Sequence, residues 1–465
     1  MNFFKRTQPI VQPTSGIFLG TINDRRKTVD LRFDSEGSGS IVSPPGGGKT
    51  AKCFCPTLLT DPGTHIVFDP TLEIYSMTHV ARELLGNDVY VVCPHPDDAN
   101  EILHPDHQIT DCGINFFGSS EFKGKPERVR ENIKNRVELL LPDNLKTDAK
   151  TRFFEIDGRE LLEFTCLDEL NRGRDITLPN VRERILSGPA ELNEAFVEAM
   201  ESSAFAGELA LLANGLNGVL TAAPQQFSGG FGCAKQAIGL YDGYSSVGRH
   251  VSGPGFDPAL LKTGEKNVTL YICYPGERIK THQRMAAATM TYLFQQVCKG
   301  RPGNCVTALV DEATEIGCFP IARFMNIGRK FNLRIFAAWQ ELEGQVDEVF
   351  GRSGVRQILS ASELMWITSL RGPETCETFS KMIGMKGIEN LSLNDRPQST
   401  STMPDQSFGR GHQSVPLIRP EDLQRMDQRL ALVLVGANKP MLVNKVGYFE
   451  REAFRRIAGP NPYRG

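Results

Sequence analysis

No stretch of the chain reaches the roughly 20 consecutive apolar residues that a membrane-spanning helix needs, and no signal-peptide core follows the mixed segment Met1–Ile10. A basic excess is also missing. The 52 Lys and Arg against 55 Asp and Glu leave a net charge of −3, which excludes a surface that coats nucleic acid over its whole extent. Any nucleic acid must therefore meet a local patch or an oligomeric pore. The eleven cysteines form no C-x-x-C pair and no regular framework. A disulfide scaffold is excluded, and reduced core thiols in a cytoplasmic protein are expected. Internal repeats are absent as well.

What is present is ordinary globular chemistry: 23% charged and 40% hydrophobic residues over 465 positions. That length corresponds to about three domain-sized units, or one large core carrying an inserted lobe. The strongest pattern is a series of short apolar runs ending at turn or polar residues. They are Ser40–Val42, His65–Phe68, Val89–Cys93, Val268–Cys273, Thr307–Val310, Arg334–Trp339 and Glu363–Thr368. Continuous rather than alternating hydrophobicity predicts strands buried on both faces of a mostly parallel sheet. Helical stretches such as Thr281–Cys298 lie between them, which makes the fold class α/β.

From about Lys123 to Gly230 the periodicity turns helical and strand signals fade. The expected division is a nucleotide-binding first part over 1–122, an inserted all-α domain over 123–232, and the second part of the core over 233–465. The glycine-rich Phe227–Gly232 reads as a flexible return from the lobe. Asn390–Val415, polar and poor in apolar residues, reads as a long loop or partly disordered linker. Leu430–Val435 and Met441–Val446 read as a hairpin.

Ser43-Pro44-Pro45-Gly46-Gly47-Gly48-Lys49-Thr50 follows a predicted strand and opens a predicted helix. It is a phosphate-binding loop pattern in which only the first glycine is replaced, by Ser43. Backbone N–H groups of Pro45-Gly46-Gly47-Gly48-Lys49-Thr50 (proline excepted) can converge on an anion without Cβ obstruction, and the helix N-terminus adds partial positive charge. Lys49 is expected to reach the β and γ phosphates of ATP, and the Thr50 hydroxyl to ligate Mg²⁺. The run Val306–Val310 delivers Asp311 and Glu312 at a strand end. Asp311 is expected to hold Mg²⁺ through water, and Glu312 to act as general base toward the attacking water. Gln340, at the end of the next strand, is a candidate for sensing the γ-phosphate.

Two other clusters carry less chemistry. His95–His107 has metal-like residues, but its prolines break any shared helix face, so a surface loop is expected. Asp157, Glu160, Glu163 and Glu169 are acidic at helical spacing and read as a solvated face. Cys53 and Cys55 point to different helix faces and read as core.

These residues resemble the ATPase of the type IV secretion and conjugation coupling-protein family. The resemblance runs through Ser43–Thr50, Pro56–Leu59, Phe68-Asp69-Pro70 with Glu73, Leu309–Glu312, Gly328–Leu333 into Gln340, Glu374–Gly384, Leu417–Leu423 and Lys445–Phe449. It implies a RecA-like core with an inserted all-α domain, assembly as a homohexamer, and ATP hydrolysis between subunits. It further implies recruitment of relaxase–DNA complexes or effector proteins to a secretion channel at the inner membrane. Such a ring takes a cation from the neighbouring subunit, for which Arg371 is the first candidate and Arg329 the second. The chain departs from the family in two ways. It begins without the usual transmembrane anchor, so cytoplasmic location with attachment to the membrane through partners is expected. It also carries Thr71-Leu72 where the family commonly has Lys-Gly.

Overall fold

Strands covered on both faces have no use for alternation, and the longest apolar runs of the sequence do occupy the middle of one sheet. The computed structural model describes residues 12–24, 27–118, 120–143, 148–395 and 406–464; the expectation for Met1–Ile10 falls outside them. The strands are β1 (Ile17–Asp24), β2 (Lys27–Phe33), β3 (Ser38–Val42), β4 (Thr64–Asp69) and β5 (Asp88–Val92). After a long helical interval come β6 (Val268–Cys273), β7 (Val306–Val310), β8 (Leu333–Trp339) and β9 (Ser362–Ile367). The last are β10 (Met385–Asp395), β11 (Gln406–Pro416), β12 (Leu430–Val435) and β13 (Met441–Asn444).

Eleven of them form one sheet in the order β2-β1-β13-β12-β9-β3-β8-β7-β4-β6-β5. From β9 to β5 every pairing is parallel, and from β9 to β2 every pairing is antiparallel. The α/β class with a mostly parallel sheet is therefore observed. All residues of β3, β4, β6, β7 and β8 are buried. Successive side chains serve opposite faces: Ile66 and Phe68 join one apolar core, and Val67 joins the other. The expected hairpin is β12–β13, paired from Leu430↔Asn444 to Val433↔Met441.

β3 is short and small because it is squeezed. A Cβ on Gly39 would stand 2.9 Å from both Leu364 and Phe336. Trp339 on β8 and Trp366 on β9 flank it, fully buried, and Trp339 Nε1 donates to Ser40 Oγ at 3.2 Å. This packing fixes the strand that delivers the glycine loop.

Between β5 and β6 the described residues hold helices and no strand, from Pro126–Leu140 and Ala149–Asn171 to Pro224–Ile238 and Ser246–Ser252. Their apolar residues are continuous with the core on one face of the sheet. Three expectations change. Phe227–Gly232 is no flexible return, because it lies inside the helix Pro224–Ile238. Its glycines let that helix approach Ala149–Asn171: a Cβ on Gly229 would meet Phe154 at 2.4 Å, and one on Gly230 would meet Asp157 at 2.6 Å. The polar segment 390–415 contributes to a two-stranded ribbon, β10–β11, paired from Met385↔Pro416 to Asp395↔Gln406; its residues 396–405 lie outside the described ones. Glu169 does not belong to a solvated face, since it is 2% exposed beside Arg174 at 3.7 Å.

Candidate active site

The carboxyl ends of parallel strands form a crevice where loops converge, and here the end of β3 opens into the glycine loop. Ser43 N–H donates to Trp339 O at 3.0 Å, and Gly47 N–H closes a turn onto Pro44 O at 2.9 Å. Gly46 and Gly48 have φ of +77° and +96°, a region costly for side chains bearing Cβ. Lys49 then leads into a helix, π-helical over Thr50–Phe54 and α-helical over Cys55–Leu58. Ser43, the departure from the loop pattern, is fully buried, and its hydroxyl accepts from Thr368 Oγ1 at 3.0 Å. The hydroxyl thus ties the loop's entry to the strand end of β9, a pairing that glycine could not make.

β7 lies two strands from β3 and brings the acids to the same edge. Thr50 Oγ1 donates to Asp311 Oδ2 at 2.8 Å, and the Lys49 ammonium bonds to Glu312 Oε1. Gln340 Nε2 donates to the other carboxylate oxygen, Glu312 Oε2, at 2.8 Å. Five residues drawn from three strand ends therefore touch one another. Glu312 sits at φ 45°, ψ 54°, a left-handed conformation that a non-glycine residue holds only when its surroundings enforce it. Here Lys49 and Gln340 grip the two ends of its carboxylate.

Asp311 is 2% exposed, and desolvation, reinforced by Glu312, pushes its carboxyl up to about 7 against the opposing pull of Lys49 and Thr50. Asp69, fully buried at the end of neighbouring β4, is pushed up to about 6 by burial. Its carboxylate accepts from Thr71 N–H, Thr71 Oγ1 and Tyr75 N–H at 3.2, 3.1 and 2.7 Å. Asp69 thus shapes the turn through left-handed Leu72 into the helix Glu73–Leu84. For an acid whose folded pKa is raised, stability is fully present below the unfolded value of about 4 and is lost as pH rises through the folded value. The melting temperature of the protein without divalent cation is therefore expected to receive a falling contribution from these two acids between about pH 4 and 7. Asp311→Asn should flatten part of that contribution, as calorimetry across the range would read.

The donor set, a hydroxyl and a carboxylate oxygen joined by a 2.8 Å hydrogen bond, has the oxygen chemistry that a hard divalent cation takes. Among the described residues no group of three or more His, Cys, Asp or Glu has a metal-holding arrangement. His95 and His107 pair instead with His282 at 3.0 Å and His79 at 3.2 Å. Cys53 and Cys55 are fully buried, as expected.

The two candidate arginines sit apart from this cluster. Arg371 is exposed beyond β9, on the edge that carries the glycine loop, with its carbonyl accepting from Gln424 at 3.3 Å. Arg329 is at the opposite edge, before β8, paired with Glu36 at 3.0 Å. Thr368 and Lys445 also touch the loop; the sequence marks Thr368 only as the polar end of an apolar run, and Lys445 only within the expected hairpin and at the start of a family-like segment, not as site residues.

The chain as a whole is similar to several known proteins. A family model described as type IV secretory system conjugative DNA transfer matches residues 15–462. The conjugal transfer protein TraG of Agrobacterium fabrum is 24% identical over 450 residues, covering 93% of this chain and 64% of that protein. The type IV secretion system-coupling protein VirD4 of Bartonella quintana is 23% identical over 436 residues, covering 90% and 64%. The chain thus spans a little under two thirds of these relatives. Among solved structures, the bacterial conjugative coupling protein TrwBdeltaN70 in its unbound form has a TM-score of 0.65 at 16% identity, with 90% of this chain and 87% of that one covered. Plasmid coupling protein TrwB in complex with ADP and Mg²⁺ has a TM-score of 0.60 at 15% identity, with 88% and 84% covered. At such identities the structures speak for the fold alone. Among the described residues, no helix is long and apolar enough to cross a membrane. Because the family model accounts for nearly the whole chain, this protein belongs to the type IV secretory system conjugative DNA transfer family.

Proposed function

We propose that the chain is the ATP-hydrolysing motor and substrate receptor of a type IV secretion or conjugation system, working with Mg²⁺. The observation that carries this reading is the meeting of Lys49, Thr50, Asp311, Glu312 and Gln340 at one sheet edge. The names of the relatives, conjugal transfer and coupling proteins, supply the process. The solved TrwB complexes with ADP and Mg²⁺ and with an ATP analogue support the choice of ligands.

In this reading the N–H groups of Gly46, Gly47, Gly48, Lys49 and Thr50 surround the phosphates, with Pro45 shaping the loop entrance. Lys49 adds its charge, while Thr50 and Asp311 hold the cation. Mg²⁺ supplies neutralisation of phosphate charge when bound. Glu312 takes the proton of the attacking water, and Gln340 keeps its carboxylate aimed. Arg371, or secondarily Arg329, acts on a neighbouring subunit's site in a homohexamer. The core enclosing the lobe runs over 1–122 and resumes beyond the helix Pro224–Ile238, rather than at 233, because a boundary inside a continuous helix would split its packing. The cargo is relaxase-bound DNA, delivered to secretion-system partners at the inner membrane.

Lys49→Ala is expected to weaken ATP binding and turnover by more than tenfold, since one charge-assisted contact to phosphate contributes about 1.5–3 kcal/mol. Phosphate release with and without single- and double-stranded DNA tests both parts of the reading. Undiminished turnover in Lys49→Ala would remove the motor. Turnover indifferent to every DNA, together with tight binding of a secreted protein, would move the cargo from DNA to protein.

A further inference from the structure

Lys445 follows β13 and comes to the glycine loop from nearly four hundred residues away along the chain. Its ammonium donates to Gly47 O at 2.6 Å, and the residue is 5% exposed. The position is built rather than accidental. Lys445 N–H donates to Arg429 O at 2.8 Å, and the ammonium lies over the Trp366 ring, 5.8 Å from its centroid. The charged groups acting on it are Lys52 and Asp427, and Lys52 is itself paired with Glu450 at 3.1 Å.

The consequence lies in the peptide that Lys445 grips. In a trans peptide the C=O and the following N–H point in opposite directions. An ammonium fixed on Gly47 O therefore turns the Gly48 N–H to the far side of the same peptide plane and polarises it as a donor. The loop's positive-φ glycines make this peptide free to rotate, so a fixed orientation has to come from outside the loop. We propose that Lys445 is a positioning residue of the phosphate site, holding the Gly47–Gly48 peptide so that the Gly48 N–H faces a nucleotide phosphate while its own charge adds to the anion's attraction. This rests on the nucleotide reading above and adds a residue to it.

Burial, aided by Lys52 and opposed by Asp427, lowers the Lys445 ammonium to about 8. A bound phosphate favours the protonated form, so affinity that depends on Lys445 is present below that value and declines as pH rises through it. Asp311, at about 7, has largely ionised by the start of the range to be used.

The test is calorimetric binding of ADP with Mg²⁺ to the full chain from about pH 7.5 to 9.5, with melting curves as a check on folding. For the unsubstituted protein, affinity should decline across the range. Lys445→Met should bind about tenfold more weakly at the lower end and show a flatter profile. Lys445→Arg keeps its charge throughout, so it should bind well at the lower end and hold that affinity at the upper end. A purely structural lysine would change the melting curves and leave the slope with pH as it was. If the unsubstituted protein binds ADP, Lys49→Ala loses it, and Lys445→Met matches the unsubstituted protein in affinity and slope, the positioning role is refuted and the nucleotide site stands. If the unsubstituted protein binds no ADP, both are refuted.

Discussion

Glu312→Gln is expected to lower ATP turnover about 10²- to 10⁴-fold, the range that a positioned general base supplies, while ATP binding is retained or improved. The two effects come from the same carboxylate. Glu312 Oε1 holds the Lys49 ammonium, so a triphosphate has to compete with Glu312 for that charge. An amide in the same place keeps the size, the left-handed backbone and a contact to Gln340, but it neither accepts a proton from water nor binds the ammonium as an ion. The variant should therefore separate affinity from chemistry, which Lys49→Ala cannot do. Phosphate release under saturating ATP, paired with ADP binding by calorimetry, reads both. Turnover within threefold of the unsubstituted protein would mean that another group takes the proton, and the proposed role of Glu312 would fall.

This site was legible from sequence because each of its parts is local. Three consecutive glycines before Lys49, and an acid pair ending a buried strand, state their chemistry within a few residues. The contacts that hold those parts in place were not legible. Ser43 reads as a defect in the loop until Thr368, 325 positions later, is found against its hydroxyl. Lys445 opens a family-like segment, but its contact with the glycine loop is invisible for the same reason.

The fold divides along a similar line. The parallel strands announced themselves because burial on both faces demands unbroken apolar runs. β2, with the sequence Lys27–Phe33 and four exposed residues at its start, lies at the sheet's edge and carries no such run. The ribbon β10–β11 is polar and stands outside the main sheet, so its pairing left no hydrophobic pattern to follow. The glycines of Pro224–Ile238 misled in the opposite sense. Glycine in a sequence reads as a break, whereas here Gly229 and Gly230 are what a close helix–helix contact requires.

Arg82→Leu is expected to destabilise the protein by about 3–5 kcal/mol, the cost of breaking a buried charged network by removing one member. Arg82 is fully buried on the helix Glu73–Leu84 and donates to the carbonyls of Leu58, Asp61 and Gly63 as well as to Asn87 Oδ1 and Thr269 Oγ1. Burial lowers its guanidinium to about 10, so it stays charged at neutral pH. Burial and the Arg82 charge together push His65 down to about 3, so the imidazole beside the guanidinium is neutral and able to accept from it at 3.0 Å. Leucine would fill part of the space but leave the Leu58 and Asp61 carbonyls without the guanidinium donor, each a desolvation cost, while Gly63 O keeps the His65 ring nitrogen at 2.9 Å. Arg82→Lys should recover little, because one ammonium cannot span acceptors arranged around a planar fork. Leu58 ends the helix that begins at the glycine loop, so loosening it should also weaken ADP binding, though Arg82 lies outside the phosphate cluster. Urea unfolding of the three proteins, with ADP affinity measured alongside, decides the matter. A loss below about 1 kcal/mol in Arg82→Leu would show that water re-enters and satisfies those carbonyls, and the claim that this arginine anchors the loop helix to the sheet would be wrong.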